Sequence, residues 1–367
     1  MVNNMHKKLV DKSLIFVTIG LVIFGLIMVY SASNVVAMYK YNDSLYFFKR
    51  QLLFSIIGLI LMFIVIKINV DWFYKYYLII FIVSSILLIL VLIPGIGVVR
   101  GGARSWIGFG SFSIQPAEII KLTIIIFLSS ILSKNKSNIN KFKNVLLYLT
   151  CIVLTFFLIM LQPDFGTGLV FVLASLLVLF ASGISIKYFL ILGIIGIIGV
   201  VFLIASAPYR IERIFAFLNP WNDPLGSGFQ AIQSLFAIAP SGIFGLGFNN
   251  SMQKHFFLPE PQNDFIFAIV CEEFGLIGGL ILIGAFLYII IRLLVISTKV
   301  EDNRYKLTLV GVASLLFVQV FINIGVVIGL LPVTGITLPI ISYGGSSLIF
   351  TLIMIGIAIN ISRYKEE

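Results

Sequence analysis

FIFAIVCEEFGLIGGLILIGAFLYIIIRLLVIS, residues 265–297, carries only three charged side chains, Glu272, Glu273 and Arg292. A run this long and this apolar exceeds the ~20 helical residues that cross the hydrocarbon core of a bilayer. It is apolar on every face, which a helix on the surface of a soluble domain is not. The pattern recurs along the chain. Ten spans are expected, near residues 12–32, 51–66, 76–93, 117–132, 145–161, 168–183, 188–206, 265–297, 307–331 and 346–362. Composition agrees. Hydrophobic residues make up 60% of the 367 positions and charged residues 11%, against ~45–50% and ~25% in soluble domains. The expected fold is all-α: one polytopic integral membrane domain spanning 1–367, with a large loop at 207–264 between the seventh and eighth spans. That loop is too apolar for disorder and too broken by Gly and Pro for one helix. It should form short helices lying in the interface.

An even number of spans puts both termini on one side. Of the 25 Lys and Arg, 16 fall on the terminal side, mostly in short lysine-rich loops such as SKNKSNINKFKN (133–144). The excess places both termini in the cytoplasm. The first apolar run is too long for a cleavable signal and should remain as an anchor. The net charge of +10 then reflects topology and attraction to anionic lipid rather than nucleic-acid binding. Two cysteines, Cys151 and Cys271, and two histidines, His6 and His255, leave no disulfide framework and no thiolate or imidazole metal centre. No P-loop or dinucleotide fingerprint is present.

Ionisable groups within spans, or at their ends, are costly and therefore candidates for function. Asp264 opens the eighth span after LPEPQN. It is either a helix-start carboxylate stabilised by the macrodipole or a general base at the membrane surface. Glu260 precedes it between two stiffening prolines. Glu118 and Lys121 share a face three residues apart, after a Gln115–Pro116 helix start. They are either a self-neutralised ion pair or, with Arg104, Arg100 and Arg50, part of a cationic cluster suited to pyrophosphate. Asp164, in the turn QPDFGTG, either caps the sixth span or faces that cluster. Glu272 and Glu273 read best as interhelical hydrogen-bonding groups. Gly193, Gly196 and Gly199 form a stripe for close helix packing. The uncharged segment 332–347, rich in hydroxyls, Gly and Pro, should form one wall of a site, since irregular backbone at this depth must be buried or line a cavity.

Five motifs extend this reading: GGARSWIGFGSFSIQPAEIIKL (101–122), QPDFGTG (162–168), NPWNDPLGSGFQAIQSL (219–235), LPEPQNDFIFAIVCEEFG (258–275) and TGITLPIISYGGSS (334–347). In this order they resemble the SEDS family (shape, elongation, division and sporulation), and most of all its SpoVE/FtsW branch in spore-forming Gram-positive bacteria. The resemblance implies a peptidoglycan glycosyltransferase of the bacterial cytoplasmic membrane. Such an enzyme polymerises lipid II into β-1,4-linked glycan on the outer face and releases undecaprenyl pyrophosphate. It works with a class B penicillin-binding protein and with other division or sporulation membrane proteins. The family's essential Asp falls on Asp264, and its conserved charged positions fall on Arg50, Arg104, Glu118, Lys121, Asp164 and Glu260. In the reaction so implied, Arg50, Arg104 and Lys121 would meet the pyrophosphate, with a divalent cation such as Mg2+ as an optional companion; no metal-ligand spacing is present. Asn263 stands where Thr is common, and Arg104 lies two residues before Trp106 rather than next to it. Two other functions compete: a lipid II flippase, which intramembrane charges and broken spans also suit, and a scaffold recruiting a penicillin-binding protein. The candidate charges gather on the outer side and no inverted repeat is evident, which favours the polymerase.

Overall fold

The computed structural model describes residues 9–100, 102–109, 112–205 and 208–365. Its helices are α1 (Lys12–Tyr41), α2 (Tyr46–Lys67), the short α3 (Asp71–Lys75), α4 (Tyr77–Leu90), α5 (Pro116–Lys134), α6 (Phe142–Met160), α7 (Phe165–Ala181) and α8 (Ile186–Ala205). They continue with α9 (Pro208–Leu218), α10 (Phe229–Ile238), α11 (Ile266–Thr298), α12 (Asn303–Val327) and α13 (Gly345–Ile361). Seven of these are long and apolar enough to cross a membrane: α1, α2, α5, α6, α11, α12 and α13. Three shorter apolar stretches, Tyr77–Leu90, Phe165–Ala181 and Ile186–Gly196, fall where the remaining three expected spans lie. Helices α5, α12 and α13 are the most buried and form the middle of the bundle, while α1, α2, α6 and α11 bury one side only. The expected loop at 207–264 contains α9, α10 and two single 3-10 turns.

One element lies outside the all-α expectation. Strands β1 (Gly97–Arg100), β2 (Ala103–Phe109) and β3 (Phe112–Ile114) form an antiparallel sheet in the order β1-β2-β3, with an irregular register between Val98 and Val99. The segment alternates β-branched and aromatic residues with Gly, a pattern that suits short strands. Its length and low charge make it easy to read as mere connection.

Both ends of the chain meet at Asp11. This residue caps α1, is 4% exposed, and accepts hydrogen bonds from Ser13 (2.6 Å), Arg292 (3.0 and 2.7 Å) and Lys365 (3.2 Å), while its own N–H donates to Ser362 Oγ (2.9 Å). Burial raises the Asp11 carboxyl, but these donors outweigh it and hold it at about 2, against an ordinary 3.8. A depressed carboxylate contributes stability in full above its unfolded value and loses it as pH falls through the folded one. The Asp11 contribution is therefore constant from pH 8 down to about 4 and fades towards about 2. Asp11→Ala is expected to destabilise the protein by about 2 kcal/mol at neutral pH, because Arg292 and Lys365 keep partial access to water. Thermal unfolding of the purified protein in detergent measures this.

Helix α11 is broken inside. Gly275 takes φ 66, ψ −163, and segment 242–247 fills the break. The N–H groups of Leu246 and Gly247 donate to the carbonyls of Glu272 and Glu273, both at 2.9 Å, and those of Leu276 and Ile277 to Gly242 and Ile243. A Cβ at Gly275 would strike the Ile243 carbonyl, so only glycine fits. These four bonds pair backbone groups on both sides of the break, at a depth where water is scarce. Packing of the glycine stripe in α8 was expected but is not found. A Cβ added at Gly193, Gly196 or Gly199 would meet nothing within 4 Å, because this part of α8 stands away from the described helices.

Candidate active site

Helix α1 has 30 residues, so Tyr41 lies about 45 Å from the end where the termini meet. Several charged groups gather at that far end. Gln115 sits at the N-cap of α5 and Pro116 in its first turn, as the sequence predicts, so Glu118 and Lys121 project together one turn in. Lys121 Nζ lies 2.9 Å from Glu118 Oε1 and donates to Gln319 Oε1 at 3.1 Å. Both charges are buried. An ammonium has three N–H groups, so one remains to point elsewhere. Asp164 does both of the things the sequence left open. It caps α7 by accepting from Thr167 N–H at 3.1 Å, and it faces the same space as Lys121 while accepting from Gln115 Nε2 at 2.8 Å. Burial pushes the Asp164 carboxyl above its ordinary value, against the Thr167 hydrogen bonds.

Asp264 stands two residues before the first residue of α11; the N-cap is Phe265, which makes no side-chain cap bond. Asn323 holds the approach. Its Nδ2 donates to the carbonyls of Asp264 and Ile336, both at 2.7 Å. Four residues earlier on α12, Gln319 accepts from Lys121 and donates to the Thr337 carbonyl at 3.0 Å. One face of α12 thus ties together the base candidate, the lysine and the irregular segment before α13. Gln51 adds a tie from α2, donating to the Ser342 carbonyl at 3.1 Å and accepting from Gly344 N–H at 3.3 Å. Glu260 adopts φ 45, a left-handed conformation that costs a non-glycine residue energy. The turn it begins is closed by Asn263, which donates to Glu260 from both its N–H and its side chain.

These groups surround one cavity of about 660 Å³. Arg50, Glu118, Lys121, Asp164, Glu260 and Asp264 all line it, together with segment 333–337, the wall expected from the sequence. Of the named site residues, Arg104 alone does not. Ala103, Ser105 and Trp106 face the cavity, while the Arg104 Cγ packs on Gly97 of β1, next to the irregular register at Val98–Val99. The side chain of Arg100 lies outside the described residues. Among the described residues no group of three or more His, Cys, Asp or Glu side chains is arranged to hold a metal ion. The described residues do not fit a protein-built Mg2+ site.

Glu273 makes the interhelical hydrogen bond expected of it, whereas Glu272 bonds instead to the irregular segment 251–253. Glu273 accepts from Ser31 of α1 at 2.5 Å and lies 3.6 Å from buried Lys254. Glu272 takes the Ser251 hydroxyl at 2.5 Å and the Met252 N–H at 2.8 Å. This knot fixes the chain just upstream of Glu260 and Asp264. Sequence reasoning passed over Gln51, Gln319 and Asn323, and saw Gln115 only as a helix start. The available signal was an amide side chain inside an apolar span, repeated four residues apart on α12. Asn323→Leu is expected to leave two buried carbonyls unpaired and to loosen Asp264. Activity should fall about ten-fold or more, chiefly in kcat, as steady-state kinetics would show.

The profile of the family described as "Cell cycle protein" (FTSW_RODA_SPOVE) matches residues 11–367. The chain belongs to this family. Among FtsW/RodA/SpoVE proteins it is 50% identical over 357 residues to "Stage V sporulation protein E" of Bacillus subtilis (strain 168), covering 97% of this chain and 98% of that one. It is 38% identical over 353 residues to "Probable peptidoglycan glycosyltransferase FtsW" of Geobacter metallireducens, covering 96% and 94%. Two solved FtsW/RodA/SpoVE-like structures share the fold. One is a chain described under "Structural coordination of polymerization and crosslinking by a peptidoglycan synthase complex", with TM-score 0.78, 30% identity and coverage of 97% and 99%. The other is the RodA rod shape determining protein of Thermus thermophilus, with TM-score 0.74, 26% identity and coverage of 98% and 98%. This is a multi-pass protein of the cytoplasmic membrane, as the apolar helices and the family both require.

Proposed function

We propose that this chain is a peptidoglycan glycosyltransferase that extends β-1,4-linked glycan from lipid II on the outer face of the membrane. It would serve division or the spore cortex. The observation that carries the reading is the single cavity lined by Asp264, the Glu118–Lys121 pair, Asp164 and Arg50, at the end of the bundle opposite the termini. With the termini in the cytoplasm, this end faces outward.

Asp264 takes the proton from the 4-hydroxyl of the acceptor N-acetylglucosamine as that oxygen attacks the anomeric carbon of the donor N-acetylmuramic acid. The bond to the pyrophosphate oxygen breaks with inversion, and undecaprenyl pyrophosphate leaves. Lys121 and Arg50 meet the developing negative charge, in a site where low dielectric makes such contacts strong. Glu118 and Gln319 aim the ammonium. Asn323 fixes the backbone of the base, which matters because a misplacement of about 1 Å can cost about 100-fold in rate. An apolar groove of about 620 Å³ between α7, the start of α8 and α12, lined by Leu173, Phe180, Phe189 and Phe321 among others, offers a place for a polyprenyl tail. By family likeness the partner is a class B penicillin-binding protein, with other division or sporulation membrane proteins.

The test is polymerisation of purified lipid II by the chain with its transpeptidase partner, wild type against Asp264→Ala, with products resolved by length. A ladder of strands from wild type and none from the variant supports the assignment. Ladders of equal intensity would refute it. A scaffold instead requires that growth survive neutralisation of both Asp264 and Lys121.

A further inference from the structure

We infer that a second cavity, between the α1–α2 turn and segment 256–263, is a carbohydrate subsite that holds the glycan next to the reacting sugar. The identity of the sugar rests on the polymerase reading above; the existence of a saccharide site rests on the cavity's own chemistry. This cavity measures about 630 Å³ and adjoins the first, sharing Arg50, Glu260, Asn263 and Tyr343 as common wall. Both volumes fall in the range of small-molecule sites.

Its lining combines open aromatic faces with amide groups. Tyr41 is 46% exposed and Phe256 54%. Tyr41 stacks on Tyr46 with centroids 3.7 Å apart and planes within 6°, and the Arg50 guanidinium covers Tyr46 at 4.7 Å. On the other side of the wall Phe47 meets Tyr343 edge-on at 5.0 Å. The rings are therefore fixed before any ligand arrives. Aromatic residues at a membrane boundary commonly lie against lipid headgroups. These rings instead line a concavity that leads to the active cavity.

Gln262 supplies the polar half. It is 3% exposed, lines the cavity, and its carbonyl accepts from Tyr343 N–H at 2.8 Å, yet its side-chain Oε1 has no hydrogen-bond partner among the described residues. Asn263 Oδ1, on the common wall, is in the same state. Buried acceptors are normally paired, and a hydroxyl or acetamido N–H donor that reached this wall would satisfy both. Flat apolar rings beside fixed amide acceptors suit a sugar, whose C–H faces are apolar and whose rim is polar. The charges of Lys40, Arg50 and Glu260 also stand in this lining, and a prenyl tail would leave both them and the amides unpaired.

The test uses a peptide-free tetrasaccharide of alternating N-acetylglucosamine and N-acetylmuramic acid, added to the full chain in detergent and followed by saturation-transfer NMR. Wild type and Asp264→Asn should bind it alike. Tyr41→Ala and Gln262→Leu should each weaken binding about five-fold or more, while Tyr41→Phe, which keeps the ring, stays within about two-fold of wild type. Strands made by Tyr41→Ala should be shorter than those of wild type. Unchanged binding in both Tyr41→Ala and Gln262→Leu overturns the subsite, as does displacement of the tetrasaccharide by the free stem pentapeptide. If wild type binds the tetrasaccharide but makes no glycan from lipid II, the subsite stands and the polymerase reading fails.

Discussion

Asp264→Asn is expected to lower glycan polymerisation by about 100-fold or more while the protein remains folded. Asparagine has the shape of aspartate, and the Asn323 hydrogen bond goes to the Asp264 backbone carbonyl rather than its side chain. The hold on the chain therefore survives. What is lost is a group that accepts a proton as the acceptor hydroxyl attacks. Such a base typically contributes ~10²–10⁴ in rate. Thermal unfolding should move little, so the loss is assigned to chemistry rather than folding. Asp264→Glu is the companion variant. It keeps the base but displaces it by one methylene, and it should retain more activity than Asp264→Asn. Wild-type rates from a folded, membrane-inserted Asp264→Asn protein would remove Asp264 from the mechanism.

The second large effect concerns Lys121. Its ammonium is buried against Glu118 at 2.9 Å, and both side chains are 7% exposed. Removing one member leaves the other buried and uncompensated, at a cost of roughly 3–5 kcal/mol. Lys121→Met should therefore be poorly folded as well as inactive, and the single variant decides nothing. The double variant Glu118→Gln/Lys121→Met removes both charges and keeps approximate volume. Its thermal stability should recover most of the loss. Its polymerisation should stay about 100-fold or more below wild type, because no ammonium remains to meet the leaving pyrophosphate. Recovery of activity together with stability would make the pair structural, as an ion pair that merely holds α5 in register.

How much could be read in advance follows from the range of each interaction. The apolar runs predict the helices because crossing a bilayer sets their length. The spacing of Glu118 and Lys121 predicts their contact because three residues on a helix is a local distance. Asp164 could be placed as a cap for the same reason, while its facing the cluster, which depends on α5 and α12, could be raised only as an alternative. Arg104 shows the limit more sharply. Its charge and neighbours suggested an anion site, yet it stands on a strand of irregular register that was not foreseen, and it is not among the residues that line the cavity. The break at Gly275 was hidden because its hydrogen bonds come from residues 242–247, about thirty positions upstream. Gln319 and Asn323 were overlooked since an amide in an apolar helix advertises no chemistry until its partners are known. The glycine stripe in α8 misled in the opposite direction: small residues permit close packing without supplying a neighbour.

The cavity either makes glycosidic bonds or moves lipid across the membrane, and the proposed chemistry requires the first. Vesicles containing the purified chain, its transpeptidase partner and fluorescent lipid II separate the two. The account predicts glycan strands that lengthen with time, undecaprenyl pyrophosphate released in step with each bond, and loss of both with Asp264→Ala. Labelled lipid II that crosses the bilayer while no strand lengthens would contradict it.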